Sequence, residues 1–415
     1  MLLIQIKPSP REQKSISKLS TEIAVIGLGY VGLPLAISAI KSGFKVIGVD
    51  SNSARADSIN NGISPVEDIA NTEIQQAITT GMLFPTTDYN QIKECKTILI
   101  CVPTPLTEAG KPNLSFLEVA IKSVSPFIRP GTLVIVESTI ATGTTKSFIQ
   151  PLIKSFSGLN EKDFLLAYSP ERIDPTNKSW NLSNTPKLVS GINLESQIHA
   201  VTFYNSLGIN TFQCDSVEIA ETAKLLENSF RLVNISFINE LSIFCNKLNI
   251  DINKVISAAA TKPYGFMPFY PSIGAGGHCI PVDPIYLANA AQAVGAPSRF
   301  IELADQINQE MPGYFVGRAE EKLGSLKAKK VLVVGVSYKP NVADVRESPV
   351  EGLISRLRQK NAHVSWHDDL VKEWNGEKSV ALSSQYDLVI LATPHAYLDL
   401  TKLGNVPILN TRGSI

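Results

Sequence analysis

The sequence predicts an α/β protein with a doubly wound parallel sheet, a middle region built on a long helix, and a second, smaller α/β domain. Three observations lead to this fold class. Short β-branched runs alternate with helix-like stretches from Thr21 to about Cys214, a long stretch without Gly or Pro follows, and the alternation restarts at Lys330. Apolar strands separated by helices are typical of parallel sheets covered on both faces.

In the first region the expected strands are EIAVIG, FKVIGVD, KTILICVP, TLVIVES and DFLLAYS, with a helix over VGLPLAISAIKSG. In the last region they are VLVVGVSY, AHVSWHD, DLVILAT and VPILN, with a helix over SPVEGLISRLRQKN. The stretch between Ser216 and Asn249 predicts one long helix, typical of a spine between domains or a subunit interface; burial within a single domain is the alternative. We expect a flexible arm (1–20), a first α/β domain (21–214), a helical middle (215–324) and a second α/β domain (325–415).

The composition argues against several classes of protein. The 415 residues are 44% hydrophobic, and 38 Lys and Arg balance 38 Asp and Glu, which predicts no nucleic-acid partner held by bulk charge. No apolar run reaches the roughly 20 residues that span a bilayer, and the start of the chain lacks the pattern of a secretory signal. The five cysteines include no CxxC pair. We therefore expect no membrane contact, no disulfide framework, no metal site and a cytoplasmic location.

A glycine-rich turn follows the first expected strand. It reads Gly27-Leu28-Gly29-Tyr30-Val31-Gly32, with glycines spaced for a tight turn, for the approach of a pyrophosphate and for strand–helix packing. The next strand ends in Asp50, where a carboxylate would accept a hydrogen bond from a ribose hydroxyl and repel a 2′-phosphate. Together they predict a Rossmann-type domain that binds NAD rather than NADP. Arg55 could reach the cofactor phosphates or be a solvated helix charge.

A second glycine-rich segment, SIGAGGHCIPVD over residues 272–283, delivers Cys279 and Asp283 four residues apart. Exposed backbone N–H groups suit a phosphate, and a thiolate is a good nucleophile toward an aldehyde. A nearby carboxylate can manage protons or activate water. The segment is therefore a candidate catalytic loop, and an ordinary buried turn is the alternative.

Other polar residues occur where a site would need them. Lys224, Asn228 and Arg231 are spaced to share one face of the long helix, where they could hold an oxyanion and a phosphate or form a solvated stripe. Glu171-Arg172 and Glu137-Ser138-Thr139 follow expected strands, at the edge of an open parallel sheet where ligands bind, although Ser138 and Thr139 could instead be structural caps.

The loop YKPNVADVRESP over residues 338–349 follows the first strand of the last domain. It lacks GxGxxG, so this domain is expected to bind something other than a dinucleotide held in the usual way. Lys339 and Arg346 could grip a diphosphate.

Taken together, GLGYVGLP, VPTP, SPER, AKLLEN, GGHCIPVDP and YKPNVADVRESP resemble the UDP-glucose/GDP-mannose dehydrogenase family, in the family's order from Thr21 onward. The resemblance implies NAD in the N-terminal domain, UDP in the C-terminal domain and a homodimer formed through the central helix. It also implies a four-electron oxidation of the C6 hydroxyl of a nucleotide-sugar to a carboxylate.

Carried over position by position, the resemblance makes Cys279 the nucleophile that forms a thiohemiacetal and then a thioester. Lys224 and Asn228 would stabilise the oxyanion, Asp283 with Thr139 would orient or activate water, and Glu171 would serve thioester hydrolysis. The further residues assigned to the cofactor are Tyr30, Val31, Thr104, Thr139 and Arg346. Those assigned to the substrate are Glu171, Arg172, Lys224, Asn228, Arg231, Phe269, Tyr270, Gly276 and Lys339.

The stretch TKPYGFMPFYPSIGAGGHCIPVDP, with NSFRLVN, is more similar to members acting on UDP-N-acetylhexosamines than to the UDP-glucose branch, whose motif reads GGSCFxKD. We therefore expect UDP-N-acetylglucosamine or its C4 epimer as the substrate, for surface-polysaccharide precursor synthesis. UDP-glucose and UDP-N-acetylmannosamine are alternatives. The latter is less favoured because Lys262-Pro263 stands where a His-Pro-Arg is expected.

Two more distant functions compete with this reading. A single-hydride dehydrogenase of the hydroxyacid type would need no cysteine. A non-catalytic dinucleotide-binding module would have no use for Lys224, Asn228, Cys279 and Asp283 together.

Overall fold

The structure, a computed structural model, describes residues 22–173, 179–182 and 184–413, and the expected arm over residues 1–20 lies outside them. The chain divides into two compact units, Met1–Lys224 and Leu225–Ile415. The division falls inside the long helix, so the expected middle and last domains share one compact unit. The three-domain boundaries stay a prediction.

The first unit contains eight strands and six helices within the described residues. The strands are β1 Glu22–Ile26, β2 Lys45–Val49, β3 Leu83–Thr86, β4 Thr97–Ile100, β5 Leu133–Val136, β6 Leu165–Tyr168, β7 Lys187–Gly191 and β8 Thr211–Gln213. The helices are α1 Gly32–Lys41, α2 Ser53–Asn60, α3 Asn71–Thr79, α4 Ser115–Val124, α5 Gln150–Ser157 and α6 Leu194–Ser206. Short 3₁₀ turns lie at Tyr89–Ile92 and Ser125–Phe127, and a π-helical turn, Thr145–Ile149, leads into α5.

These strands form one sheet in the order β3-β2-β1-β4-β5-β6-β7-β8. All neighbouring strands are parallel except β6 and β7. Successive residues of β1 point to opposite faces, so Val25 joins the core on one face and Ala24 and Ile26 join the core on the other. Burial on both faces explains the apolar strands and confirms the doubly wound α/β fold.

The long helix α7, Val217–Lys247, begins in the first unit and continues into the second. The second unit adds α8 Ile252–Ala259, α9 Asp283–Ala293, α10 Arg299–Leu323 and α11 Pro349–Gln359. Its strands are β9 Lys330–Val334, β10 His363–His367, β11 Glu373–Trp374, β12 Glu377–Lys378, β13 Leu388–Leu391 and β14 Ile408–Asn410, with a 3₁₀ turn at Leu400–Leu403.

The second sheet is parallel, in the order β10-β9-β13-β14, and β11 pairs with β12 as a separate antiparallel hairpin. The predicted second α/β domain is confirmed by this sheet and by α11, which packs on it through Leu353 and Leu357. Among the helices of the described residues, none has the length and apolar character needed to cross a bilayer.

Candidate active site

The glycine turn between β1 and α1 leaves no space for side chains at two of its three glycines. A Cβ on Gly27, which has φ +92°, would lie 2.7 Å from the carbonyl oxygen of Cys101. A Cβ on Gly32 would lie 1.8 Å from the carbonyl oxygen of Gly27. A Cβ on Gly29 would meet nothing within 4 Å. The backbone is therefore open at Gly29, where a pyrophosphate must approach, and closely packed at the other two positions.

Asp50 lies at the end of β2 and is almost fully buried. Its Oδ2 accepts hydrogen bonds from the Leu28 amide at 2.8 Å and from Arg55 Nη1 at 2.9 Å, and its Oδ1 accepts one from the Asn52 amide at 2.9 Å. A carboxylate has about four acceptor positions, so capacity for a ribose hydroxyl remains. Because Arg55 pairs with Asp50, its predicted role toward the cofactor phosphates stays a prediction.

These residues fit NAD. The amino end of α1 and the open backbone at Gly29 would hold the pyrophosphate, Asp50 would hold the ribose, and the half-buried Val31 and exposed Tyr30 flank the turn.

The structure brings Thr104 and Thr139 together beyond the ends of β4 and β5. Thr104 Oγ1 donates to the Thr139 carbonyl oxygen at 2.7 Å, and Ser138 Oγ donates to the Val102 carbonyl oxygen at 2.7 Å. These bonds tie two neighbouring strand ends into one rigid edge. The Ser138 hydroxyl therefore makes a structural contact between strand ends, and a functional role for Ser138 stays a prediction.

Glu171 follows β6 and is held on both of its carboxylate oxygens. Oε1 accepts hydrogen bonds from the Arg172 and Ile173 amides, each at 2.7 Å, and Oε2 accepts one from Lys187 Nζ at 3.2 Å. Burial alone would raise the pKa of Glu171, but the charge of Lys187 and the hydrogen bonds outweigh it, so this pKa is lowered. The Arg172 guanidinium donates to the Pro186 carbonyl oxygen at 2.7 Å.

Lys187, the first residue of β7, is a site residue that sequence reasoning missed. Its side chain is 3% exposed, and its Nζ lies 2.6 Å from Glu137 Oε2 as well as 3.2 Å from Glu171 Oε2. Lysine is rarely buried unless it is paired, so nothing in the stretch NTPKLVSG indicates this placement.

The three polar residues that were predicted to share one face of α7 differ in exposure. Lys224 and Asn228 lie one turn apart and are buried, whereas Arg231 is exposed. In the second unit, Asn228 Nδ2 donates to Asp283 Oδ2 at 2.6 Å. Asp283 is buried as the first residue of α9. The structure thus joins two predicted catalytic residues that are 55 positions apart in sequence.

Cys279 is exposed and the other four cysteines are buried; all five lie in the described residues, and none of them forms a disulfide. Burial raises the pKa of the Cys95 thiol to about 12 and that of Cys214 to about 11. The pKa of Cys101 is also raised well above its usual value by burial. Cys279 is therefore the thiol that an incoming molecule can reach.

The loop over residues 272–283, which carries Cys279, packs against the loop over residues 338–349 of the same unit. A Cβ on Gly276 would lie 2.5 Å from the Glu347 carbonyl oxygen, and the Gly277 amide donates to the Arg346 carbonyl oxygen at 3.1 Å. The Cys279 carbonyl oxygen in turn accepts the Asp283 amide at 2.8 Å, at the start of α9. Glycine at 276 thus permits close packing of the two loops.

The residues of the second unit that are predicted to bind substrate or cofactor differ in exposure. Lys339 and Arg346 are half-buried, and the Arg346 guanidinium forms a fork on Asp344 through Nε at 3.0 Å and Nη2 at 2.6 Å. Tyr270 is exposed, whereas Phe269 is partly buried edge-on against Phe230, with ring centroids 5.8 Å apart. Within the described ranges, no group of three or more His, Cys, Asp or Glu side chains is arranged to hold a metal ion.

A Rossmann-type sheet, an open glycine turn and an acid at the end of β2 define an NAD-dependent dehydrogenase. Residues 21–207, 218–310 and 332–411 match, in turn, the NAD binding, central and UDP binding domain models of the UDP-glucose/GDP-mannose dehydrogenase family. The chain belongs to this family. It is an NAD-dependent nucleotide-sugar dehydrogenase, as the motifs predict.

Curated relatives and solved structures agree with this assignment. The chain is 34% identical to the UDP-N-acetyl-D-glucosamine 6-dehydrogenase of Pseudomonas aeruginosa over 90% of each chain. It is 33% identical to a UDP-N-acetyl-D-mannosamine dehydrogenase of Pyrococcus horikoshii, covering 90% of this chain and 89% of that one. The structure of the UDP-D-ManNAc dehydrogenase from Pyrococcus horikoshii superposes with a TM-score of 0.86 at 31% identity, covering 94% of this chain and 95% of that chain.

Proposed function

We propose that the protein oxidises the C6 hydroxyl of a UDP-N-acetylhexosamine, UDP-N-acetylglucosamine or its C4 epimer, to the uronate. The reaction would serve surface-polysaccharide precursor synthesis in the cytoplasm. The observation that carries the proposal is Cys279, an exposed thiol in a glycine-rich loop next to the buried Asn228–Asp283 pair. A C6 alcohol can lose four electrons only through an aldehyde, and a thiol is suited to capture that aldehyde.

When bound, NAD accepts one hydride in each of two oxidations. Between them, the Cys279 sulfur adds to the C6 carbonyl carbon and the carbonyl oxygen takes up a proton, giving a thiohemiacetal. Loss of the C6 hydride and of that hydroxyl proton gives a thioester. Water then adds to the thioester carbon, the C–S bond breaks, and the thiolate leaves as the uronate forms. Covalent capture prevents escape of a reactive aldehyde.

Asn228 and Asp283 act on the oxygen atoms of this sequence. Asn228 donates from Nδ2 to Asp283, which fixes the amide orientation. We infer that Asn228, with Lys224, stabilises the C6 oxyanion and that Asp283 takes the proton from the attacking water, with Thr139 orienting that water. We infer that Glu171, in its ionised form, serves the same hydrolysis step.

Replacing the nucleophile tests the covalent route. Cys279→Ser should lower the rate of the complete oxidation at least about 100-fold, because a hydroxyl is a far weaker nucleophile than a thiolate. Cys245→Ala, a buried cysteine in the same unit, is the matched control and should retain the rate. Undiminished release of two NADH per sugar by purified Cys279→Ser protein would rule the mechanism out.

A panel of UDP-sugars tests the substrate. Relatives named for N-acetylglucosamine, N-acetylmannosamine and N-acetylgalactosaminuronic acid are 34%, 33% and 30% identical to this chain, which supports an N-acetylhexosamine substrate as a class. We expect the highest kcat/KM with UDP-N-acetylglucosamine or its C4 epimer. Activity on UDP-glucose alone, or a preference for UDP-N-acetylmannosamine, would overturn this choice.

We also propose a homodimer formed through α7. Leu226, Phe230, Phe237 and Phe244 recur at spacings of four and seven along this helix, and each is between 46% and 59% exposed. Such an apolar stripe on a soluble enzyme is typical of a protein interface. Light scattering should report twice the chain mass, and Phe237→Glu should yield monomers; a wild-type monomer at micromolar concentration would refute the dimer.

A further inference from the structure

A buried charge cluster lies beneath Glu171 in the first unit. Lys187 from β7 bridges Glu137, which follows β5, and Glu171, which follows β6. Tyr204 from α6 donates its hydroxyl hydrogen bond to Glu137 Oε1, and Lys187 Nζ lies 5.3 Å from the centre of the Tyr204 ring. The side chains of Lys187 and Glu137 are 3% and 0% exposed, whereas that of Glu171 is 18% exposed. Within the described residues, Glu171 is thus the most exposed member of the cluster.

Such a cluster is costly to bury, so its arrangement needs a reason. One ammonium faces two carboxylates, and an unpaired charge in a protein interior is strongly destabilising. Glu137 gains its hydrogen bonds from Tyr204 and Lys187, and Glu171 gains its own from two backbone amides and Lys187. Lys187 is the group shared by both carboxylates. Apolar side chains in place of all these groups would fill the core with less desolvation.

The charged and titratable groups around Glu171 come from several elements. Lys187 lies on β7 and Glu137 follows β5. Cys101 follows β4, and the charges of Glu137, Lys187 and Glu171 act on its thiol. Tyr204 lies on α6, and the Arg172 guanidinium is turned to the Pro186 carbonyl oxygen. Within the described residues, Lys187 Nζ donates a hydrogen bond to the Glu171 carboxylate at 3.2 Å.

We propose that Lys187 is a positioning residue for the dehydrogenase reaction: it holds the Glu171 carboxylate ionised and oriented, while Glu137 and Tyr204 hold Lys187 in place. The inference rests on the proposed function, because that function assigns Glu171 a role in thioester hydrolysis. Removing the ammonium should leave both hydride transfers intact and slow the release of product. The ionised form of Glu171 is then lost at a higher pH.

Two substitutions with opposite expected signs test this role. Lys187→Met removes the cation, so the acid limb of the kcat–pH profile should move up by about one pH unit or more. Glu137→Gln removes the carboxylate that competes with Glu171 for Lys187, and the amide has nearly the same shape. Lys187 then acts on Glu171 alone, so the acid limb of the kcat–pH profile should move to lower pH. Lys187→Arg keeps the charge and should restore most of the rate. Lys41→Met, which breaks the exposed pair with Glu73, is the control.

Stopped-flow NADH formation separates positioning from structural damage. Lys187→Met should give a burst of about two NADH per active site, followed by a steady state slowed about 100-fold, with KM changed less than about threefold. Loss of folded enzyme would instead reduce the amplitude of the NADH burst and leave the kcat–pH profile unchanged. If Lys187→Met does not fold, Glu137→Gln and Lys187→Arg decide: an acid limb that fails to move down in Glu137→Gln overturns the inference. Absence of UDP-sugar oxidation by the wild type would instead overturn the proposed function.

Discussion

The turn after β1 and the turn after β9 are built alike and use their acidic residue in different ways. In the first, Gly27 follows the strand and Asp50 at the end of β2 accepts the Leu28 amide at 2.8 Å. In the second, Gly335 follows the strand and Asp368 at the end of β10 accepts the Val336 amide at 2.9 Å. A Cβ on either glycine would strike a carbonyl oxygen of the neighbouring strand end, Cys101 or Thr393.

The two acids differ in the donors that surround them. Asp50 has three donors and keeps capacity for a ligand. Asp368 accepts from the amides of Val336, Leu370 and Val371, from Ser337 Oγ and from His395 Nε2. The two sheets therefore share the same arrangement of strand, glycine turn and aspartate. Asp50 keeps acceptor capacity for a ribose hydroxyl, whereas Asp368 is occupied by donors of the protein itself. A ligand-binding role for Lys339 and Arg346, in the loop over residues 338–349 that follows β9, stays a prediction.

The largest expected effect comes from Gly335. Its φ is +83°, and a Cβ there would lie 2.0 Å from the Thr393 carbonyl oxygen, so Gly335→Ala should lower the free energy of unfolding by about 3 kcal/mol or more. Gly376→Ala, with φ +75° and nothing within 4 Å of the Cβ, is the control and should lose only about 1 kcal/mol. NAD affinity, measured by calorimetry on the folded fraction, should not change. Equal losses in the two variants would show that the packing at Gly335 is not tight.

Exchanging the two acids for amides should separate their roles. Asp368→Asn leaves buried donors without an acceptor and should cost about 2 to 3 kcal/mol of stability by denaturant unfolding, with little change in NAD affinity. Asp50→Asn should weaken NAD binding about 30-fold, narrow the preference over NADP, and destabilise the protein less. If Asp368→Asn were the variant that weakened NAD, the contrast between the turns would be wrong.

Within the first turn, Gly29 and Gly32 should respond differently. Gly29→Ala places a methyl group in open space, so the melting temperature should stay near the wild-type value while the Kd for NAD rises about tenfold. In Gly32→Ala the methyl group would overlap the Gly27 carbonyl oxygen, so folding and binding should suffer together. Thermal unfolding with and without NAD distinguishes the two. A wild-type Kd in Gly29→Ala would place the pyrophosphate elsewhere.

The smallest effect is on the pH dependence of stability. Burial alone would raise the pKa of Asp368, but the hydrogen bonds from His395 and the backbone amides outweigh it, so the pKa in the folded protein lies well below the usual range of an aspartate. The stability that Asp368 contributes is therefore complete above about pH 4 and is lost as the pH falls toward the folded pKa. The stability gap between wild type and Asp368→Asn should be constant from pH 7 to 5 and should narrow below pH 4, by at most about 1.4 kcal/mol per pH unit. A gap that widens on acidification would contradict this sign.

Much of the fold was predictable because its signals are local. The glycine turn, Asp50 and the apolar strands beside them predict the first sheet, and α7 follows from a long periodic stretch without Gly or Pro. Three strands of the first sheet, β3, β7 and β8, are not predicted by the sequence pattern. β3 and β8 are the two edge strands, where Phe84 and Phe212 are exposed and Pro85 interrupts the strand pattern, and β7 is next to the edge.

The candidate site was predictable only in part, since several of its contacts join distant positions. Asn228 and Asp283 were recognised separately by their motifs, but their hydrogen bond spans 55 residues. Lys187 contacts Glu137 over 50 residues, and His395 contacts Asp368 over 27. A lysine or histidine in an ordinary stretch gives no sign that it will be buried beside a carboxylate. Such pairings depend on the assembled sheet.

Cys279 is exposed while the other four cysteines are buried, and burial raises the thiol pKa of three of those four, Cys95, Cys101 and Cys214. This difference has a consequence for inhibitor chemistry. An electrophile attached to a nucleotide would meet one reachable sulfur in each chain, so covalent modification should be stoichiometric without fine tuning of reactivity. Intact-mass measurement should show a single adduct that is absent from Cys279→Ser protein. The nucleotide part of such a compound would then determine its selectivity among enzymes, and the electrophilic group would not need high reactivity.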